Sequence, residues 1–450
     1  MKRYFLLLIF ATCLQTVFGQ FSVSSNKHYL LKNGKPFFWL GDTAWELFHR
    51  LNREDADRYL SHRSDQGFTV IQAVALAEFD GLNVPNAYGE KPLINNDPTK
   101  PNEKYFEHVD YIIDKAASYN LNIALLPTWG DKVFKNSWGK GPEIFNPQNA
   151  AVYGEWIANR YKNRTNIIWI LGGDRNPRNQ QDIAIWHAMG MAIMKATNNK
   201  AIITYHCQPN EQGSAEWFRN EPWFSFNMFQ NGHCRDNANY DKILNAYNSK
   251  PTMPVIDGEP LYEDHPVCFN VQDLGTSSAY DVRKYAYLDL FSGAFGHTYG
   301  CHDIWQMYSA EREAVNGPHV YWQQAMDLPG ATQMKYVRKL MESHLLLDRV
   351  PDQSLIVENN YTPMQRIQAT RGEDYIFVYS TEGKPFTVVL GKIKGDKLNA
   401  YWFDPRKGKI TNIGSISNND KKLFTPPSSG YGQDWVLVLD DPTRYANTLE

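Results

Sequence analysis

Two short stretches of the sequence set a carboxylate at the exit of an apolar run. In NIIWILGGDRNP, Asn166 to Pro177, the run from Ile167 to Leu171 meets Gly172-Gly173 and then Asp174. In PVIDGEP, Pro254 to Pro260, a shorter run leads to Glu259. Apolar runs of this kind, bounded by glycine and proline, read as fully buried strands. An acid at such a strand's end can cap the next helix or pair with a neighbour, as Arg175 can for Asp174. Two such acids brought to one pocket can instead divide the work of splitting a glycosidic bond. One protonates the departing oxygen, and the other attacks the sugar or activates water.

Joining the two acids requires a fold that aims successive strand ends at one place. Strand-like runs occupy Phe37–Leu40, Thr69–Val74, Asn122–Leu126, Ile167–Leu171, Ala201–Tyr205, Trp223–Met228, Met253–Ile256 and Ala294–Tyr299. Segments of helical period lie between them. In EKYFEHVDYIIDKAASYN, for example, Phe106, Val109, Ile112, Ile113, Ala116 and Ala117 recur at three- and four-residue steps. Eight strands alternating with about eight helices predict an α/β fold, a (β/α)₈ TIM barrel whose active site lies beyond the strand C-termini. A doubly wound open sheet is the rival, but no phosphate-binding glycine fingerprint follows the first strand. After about residue 345 the texture changes. DYIFVYS, FTVVLG, LNAYWFDP and DWVLVLDD are short strands between turn residues, which predicts a C-terminal antiparallel β-sandwich. The expected partition is a signal peptide at 1–19, a barrel at 20–345 and a sandwich at 346–450.

Other strand ends offer a lining suited to sugar. Asp42, Thr43 and Trp45 follow the first run, Gln72 closes the second, and Trp129 follows the third. His206, Asn227 and Trp305 follow the fifth, sixth and eighth. Indole rings stack on the apolar faces of sugars, while Asp, Gln, His and Asn exchange hydrogen bonds with hydroxyls. Taken singly, each is as readily a core or rim residue. A competing chemistry uses zinc, because His206-Cys207, His233-Cys234 and Cys301-His302 fall near strand ends and Cys268 is close to His265. No His-Glu-x-x-His occurs, however, and adjacent strand residues face opposite ways, so each pair offers one inward ligand. The expectation is therefore no metal and no cofactor.

The opening MKRYFLLLIFATCLQTVFGQ has a basic start, an apolar core and a small-residue exit, the pattern of a secretory signal cut before Gln20. It is too short for a typical membrane span, and no later segment is apolar enough to be one. The expected product is exported, to the periplasm, the cell surface or the medium. A formal net charge of −3 without a long Lys/Arg block argues against nucleic acid as partner. Four cysteines remain in the mature chain, and their spacing alone does not pair them.

FFWLGDTAW, GFTVIQ, IIWILGGDRNP and VIDGEP, in this order, resemble the motifs of glycoside hydrolase family 140. The tail, with YWFDPRKGKI and WVLVLDD, resembles the accompanying module often labelled collagen-binding. Together these cover nearly the whole mature chain. The resemblance implies a barrel related to the large clan of retaining glycosidases, with Asp174 as acid/base after strand four and Glu259 as nucleophile after strand seven. The wider clan usually carries Asn-Glu where this chain has Gly173-Asp174. The resemblance also implies an oligosaccharide or polysaccharide substrate, the apiose linkages of the pectin rhamnogalacturonan II. A non-catalytic carbohydrate-binding protein on the same barrel, or a zinc-dependent hydrolase, is the alternative that the residues leave open.

Overall fold

The chain enters the described residues, 21–358 and 361–445 of a computed structural model, through an antiparallel ribbon of Phe21–Val23, Leu30–Lys32 and Lys35–Phe37. The proposed export signal lies outside the described residues. Lys32 pairs with Lys35 across Asn33 and Gly34, both at positive φ (+55° and +75°). This is the two-residue hairpin that an Asn-Gly pair favours.

Eight parallel strands follow: β1 (Trp39–Thr43), β2 (Val70–Leu76), β3 (Asn122–Thr128), β4 (Ile167–Gly172), β5 (Ile203–His206), β6 (Asn227–Gln230), β7 (Val255–Glu259) and β8 (Gly296–Tyr299). Their order is β5-β4-β3-β2-β1-β8-β7-β6, and a parallel bridge from Ile203 to Phe224 brings the two ends together. The sheet is the predicted TIM barrel. Nearly every strand residue is buried, as expected for strands covered by helices outside and packed side chains inside. The main crossover helices are α1 (Arg53–Asp65), α2 (Glu103–Ser118), α3 (Pro147–Tyr161), α4 (Gln180–Ala196), α5 (Asn239–Asn248), α6 (Ala279–Phe291) and α7 (Pro329–Glu342). In α2 the Asn102 side chain caps the first turn, and Val109, Ile112, Ile113 and Ala116 form the buried stripe.

Several strands run further than their apolar letters. β7 ends on Glu259 itself rather than before it, and β2 continues two residues past Val74. The residues added to β7 include Asp257 and Glu259, which hydropathy does not mark, whereas Ala75 and Leu76 simply prolong the apolar run of β2.

Beyond α7 the chain forms β9 (Val350–Pro351), β10 (Ile367–Arg371), β11 (Tyr375–Ser380), β12 (Phe386–Val389), β13 (Lys397–Asp404), β14 (Lys409–Ser417), β15 (Lys421–Phe424) and β16 (Trp435–Asp440). Six of them form an antiparallel sheet in the order β9-β10-β11-β16-β13-β14, and β12 pairs with β15 across a small second core. The larger sheet turns its other face to the barrel. Twelve of the thirteen residues of α6 are buried, because the helix lies between barrel and sandwich. Tyr287 stacks on Tyr379 with ring centroids 4.9 Å apart, and Phe291 meets Phe377 at 6.0 Å. Arg283 reaches across to Asp434, with Nε 2.8 Å from Oδ2 and both side chains almost fully buried.

Candidate active site

The mouth of the barrel opens into a cavity of about 520 Å³ to which all eight strand ends contribute. This is within the range typical of small-molecule sites. Trp45 follows β1, Glu78 and Phe79 follow β2, Trp129 follows β3, and Asp174 follows β4. Gln208, Gln230, Glu259 and Trp305 complete the circle, with His233, Tyr262, His265 and Phe269 from the loops after β6 and β7. Asp174 and Glu259, 85 positions apart in sequence, thus face one space.

The two glycines before Asp174 have a steric cause. A Cβ on Gly173 would lie 2.6 Å from the Trp129 ring, and one on Gly172 would lie 2.5 Å from the His206 carbonyl oxygen. Both glycines have positive φ, and Asp174 itself is left-handed at φ +48°. Aspartate tolerates that region better than most residues, and the turn throws its carboxyl into the mouth.

His206 sits behind the wall and touches both acids. The Asp174 backbone N–H donates to His206 Nδ1 at 3.1 Å, so the ring carries its proton on Nε2. Nε2 is 2.9 Å from Glu259 Oε2, a close electrostatic contact too bent for a linear hydrogen bond. His233 Nε2 lies 3.3 Å from the other oxygen of Glu259. Burial alone would push the Glu259 carboxyl up, but the two imidazoles outweigh it and hold the group well below the usual carboxylate range. Asp174 goes the other way. Burial, and then the charge of Glu259, push it up to about 6 against the pull of Arg175 and His206. The pair is therefore split near pH 5–6, with Glu259 ionised and Asp174 able to carry a proton. That division is what acid-assisted attack on a glycosidic carbon uses.

Glu78 is a third carboxyl in the cavity. Burial and the charges of Asp174, Asp131 and Glu46 push it well above the ordinary range. Trp45, Trp129 and Trp305 line the cavity, with Trp45 and Trp129 at 5.1 Å and Phe79 against Trp305 at 5.3 Å.

Besides His206, which lies behind the wall, four residues expected at the mouth lie elsewhere. Asp42 is turned outward and fully buried, bound by Tyr59 Oη at 2.5 Å and Arg63 Nε at 2.6 Å, so it fastens β1 to α1. Gln72 is mid-strand and donates to the Gly258 carbonyl at 2.9 Å and to Thr43 at 3.3 Å; both side chains support the floor beneath Glu259. Asn227 opens β6 rather than ending it, and it binds Ala215 N–H and Gln212 O of the preceding loop. Glu78 and Tyr262 escaped the sequence reading, although following β2 and β7 to their true ends would have found them. Trp138, on a long loop after β3, carries no sequence signal.

The cysteine-histidine pairs are not gathered as metal ligands. Cys234 and Cys268 form a disulfide that ties the β6 and β7 loops together. Cys207 and Cys301 are buried thiols, and burial pushes Cys207 up to about 12. Among the described residues no three His, Cys, Asp or Glu side chains converge as a metal site. No helix among them is long and apolar enough to cross a membrane.

Barrel, cavity and split carboxylate pair define a glycosidase, and the comparisons with known proteins agree. Residues 24–348 match the family described as "Apiosidase-like, catalytic domain", and residues 350–440 match "Putative collagen-binding domain of a collagenase". The chain belongs to the apiosidase-like family. A solved structure titled "Glycoside hydrolase" is 37% identical, with a TM-score of 0.86 over 95% of this chain and 98% of that one. A glycoside hydrolase family 5 structure from Bacteroides vulgatus ATCC 8482 is 35% identical, with a TM-score of 0.87 over 96% and 95%. An exo-β-1,4-mannosidase from Opitutaceae bacterium strain TAV5, 12% identical with a TM-score of 0.51 over 71% and 62%, shares the fold alone. No curated protein matches the chain.

Proposed function

We propose that this glycosidase is exported and cleaves apiosidic linkages of rhamnogalacturonan II with retention of configuration, using Asp174 as acid/base and Glu259 as nucleophile. The observation that carries the reading is the pair of carboxyls in one cavity with oppositely displaced proton affinities. Membership in the apiosidase-like family supports the sugar. Glu259 attacks the anomeric carbon while Asp174 gives its proton to the leaving oxygen; the glycosidic bond breaks and a glycosyl ester forms on Glu259. Asp174, now ionised, takes a proton from water as the water oxygen displaces Glu259, restoring both groups. Trp129 Nε1 and Gln230 Oε1 are buried around the cavity without protein partners, so sugar hydroxyls can satisfy them.

Incubation with rhamnogalacturonan II oligosaccharides, followed by sugar analysis and proton NMR of the first-formed anomer, tests this. Cleavage at apiose with retained configuration is expected. Activity only on unrelated glycans refutes the substrate, and an inverted product refutes Glu259 as nucleophile.

A further inference from the structure

Trp138 is half exposed, yet it is joined to the candidate acid. Its Nε1–H donates to Asp174 Oδ2 at 3.1 Å, and Arg175 Nη1 donates to the same oxygen at 3.1 Å. The guanidinium of Arg175 also lies 4.9 Å from the centroid of the indole ring. The loop beneath is firmly built. Asp131 Oδ2 accepts from the Lys140 and Gly141 N–H groups at 3.2 and 2.9 Å, and Arg175 binds the Phe134 and Lys135 carbonyls at 2.8 and 3.0 Å. A Cβ on Gly139, next to the tryptophan, would stand 2.7 Å from Arg175 Nη2 and Asp131 Cβ. The ring is therefore presented to the cavity on an anchored loop.

Resting on the reading of Asp174 as the acid, we infer that Trp138 has two roles: its N–H fixes Oδ2 so that Oδ1 faces the leaving oxygen, and its open ring forms the platform for the sugar that departs. The side assignment follows from the chemistry. The acid protonates the leaving group, so a ring bonded to the acid borders the leaving-group half of the cleft, whereas Glu259 borders the glycosyl half. Aromatic faces stack on sugars at little entropic cost because the ring has two torsions. The charged or titratable groups that bear on Asp174 are Arg175, His206, Glu259 and Glu78. Trp138 adds a donor that favours the ionised carboxylate.

Trp138→Phe keeps a ring and loses the N–H, whereas Trp138→Ala loses both. With a rhamnogalacturonan II oligosaccharide, Trp138→Ala is expected to lose about tenfold in kcat/KM. With apiosyl fluoride, whose leaving group fills no sugar site and needs little protonation, it should stay within about twofold. Trp138→Phe should keep KM for the oligosaccharide within about threefold and move the alkaline limb of its pH profile upward. A 13C titration of the Asp174 carboxyl in substrate-free protein should show the same upward displacement in Trp138→Phe, with Asp174→Asn identifying the signal. Equal losses on both substrates overturn the platform, and an unmoved titration overturns the clamp. Wild-type protein that cleaves neither substrate, with the titration still displaced in Trp138→Phe, refutes the apiosidic reading and leaves the clamp standing.

Discussion

Neutralising Glu259 should make Asp174 a stronger acid. Asp174 is pushed up to about 6 by burial and by the charge of Glu259. Glu259→Gln removes the second cause and leaves the first. At a retaining separation of about 5.5 Å and an effective dielectric of about 20, one unit charge is worth about 3 kcal/mol, or about two pKa units. The expected result is a fall of about 1–2 units. The sign is fixed: with one negative neighbour gone, ionisation of Asp174 becomes easier. A carboxyl 13C titration of substrate-free Glu259→Gln, set beside wild type, measures it without requiring turnover. A midpoint unchanged within about 0.3 units would mean that the two carboxyls do not feel each other, and so do not flank one bond. In wild type the same group should set the alkaline limb of kcat/KM near pH 6, activity declining above it as the acid loses its proton.

Further outcomes follow from the same geometry. Asp174→Asn should raise the melting temperature at pH 8 and leave it little changed at pH 4. An acid lifted from 3.8 to about 6 contributes no cost below its unfolded value and its full cost, about 3 kcal/mol at most, above its folded one. Equal shifts at both pH values would contradict this. Glu78→Gln should keep kcat/KM within about threefold at pH 5.5, because Glu78 is held protonated by its surroundings; a loss above tenfold would show that its charge is needed. Replacing Cys234 and Cys268 together by Ser opens a link across 34 positions and should cost about 3–4 kcal/mol by chain entropy, read in a denaturant titration. The same variant should raise KM by loosening His233 and Phe269, and an unchanged KM would place those loops outside recognition.

The barrel was legible because buried parallel strands spell themselves in apolar letters, and Asp174 was legible because two glycines announce its turn. Glu259 was found from the same pattern, though the strand runs on to include it. Legibility failed where a polar residue lies inside a strand or pairs with a distant partner. Asp42 reads as a mouth residue until Arg63, 21 positions later, is seen to claim it. Gln72 lies mid-strand because β2 runs on through Ala75 and Leu76, and Asn227 opens β6 because that strand starts later than its apolar run and closes on Gln230. Trp138 could not be read, since its position depends on a loop held by Asp131 and Arg175. The disulfide joins two loops whose closeness is a product of the barrel's closure.

The helix α6 changes what the C-terminal module can be to this protein. A helix with one apolar stripe can lose a neighbour and remain wetted on its other side, but α6 has no face made for water. Without the sandwich, Tyr287, Phe291 and the Arg283 guanidinium would stand uncovered on the barrel's flank. The boundary near residue 349 divides the chain into two sequence families without dividing it into two mechanical bodies. The module is therefore a buttress rather than a pendant: grafted elsewhere it would bring an apolar, charge-seeking face with it, and the barrel left behind would be sticky.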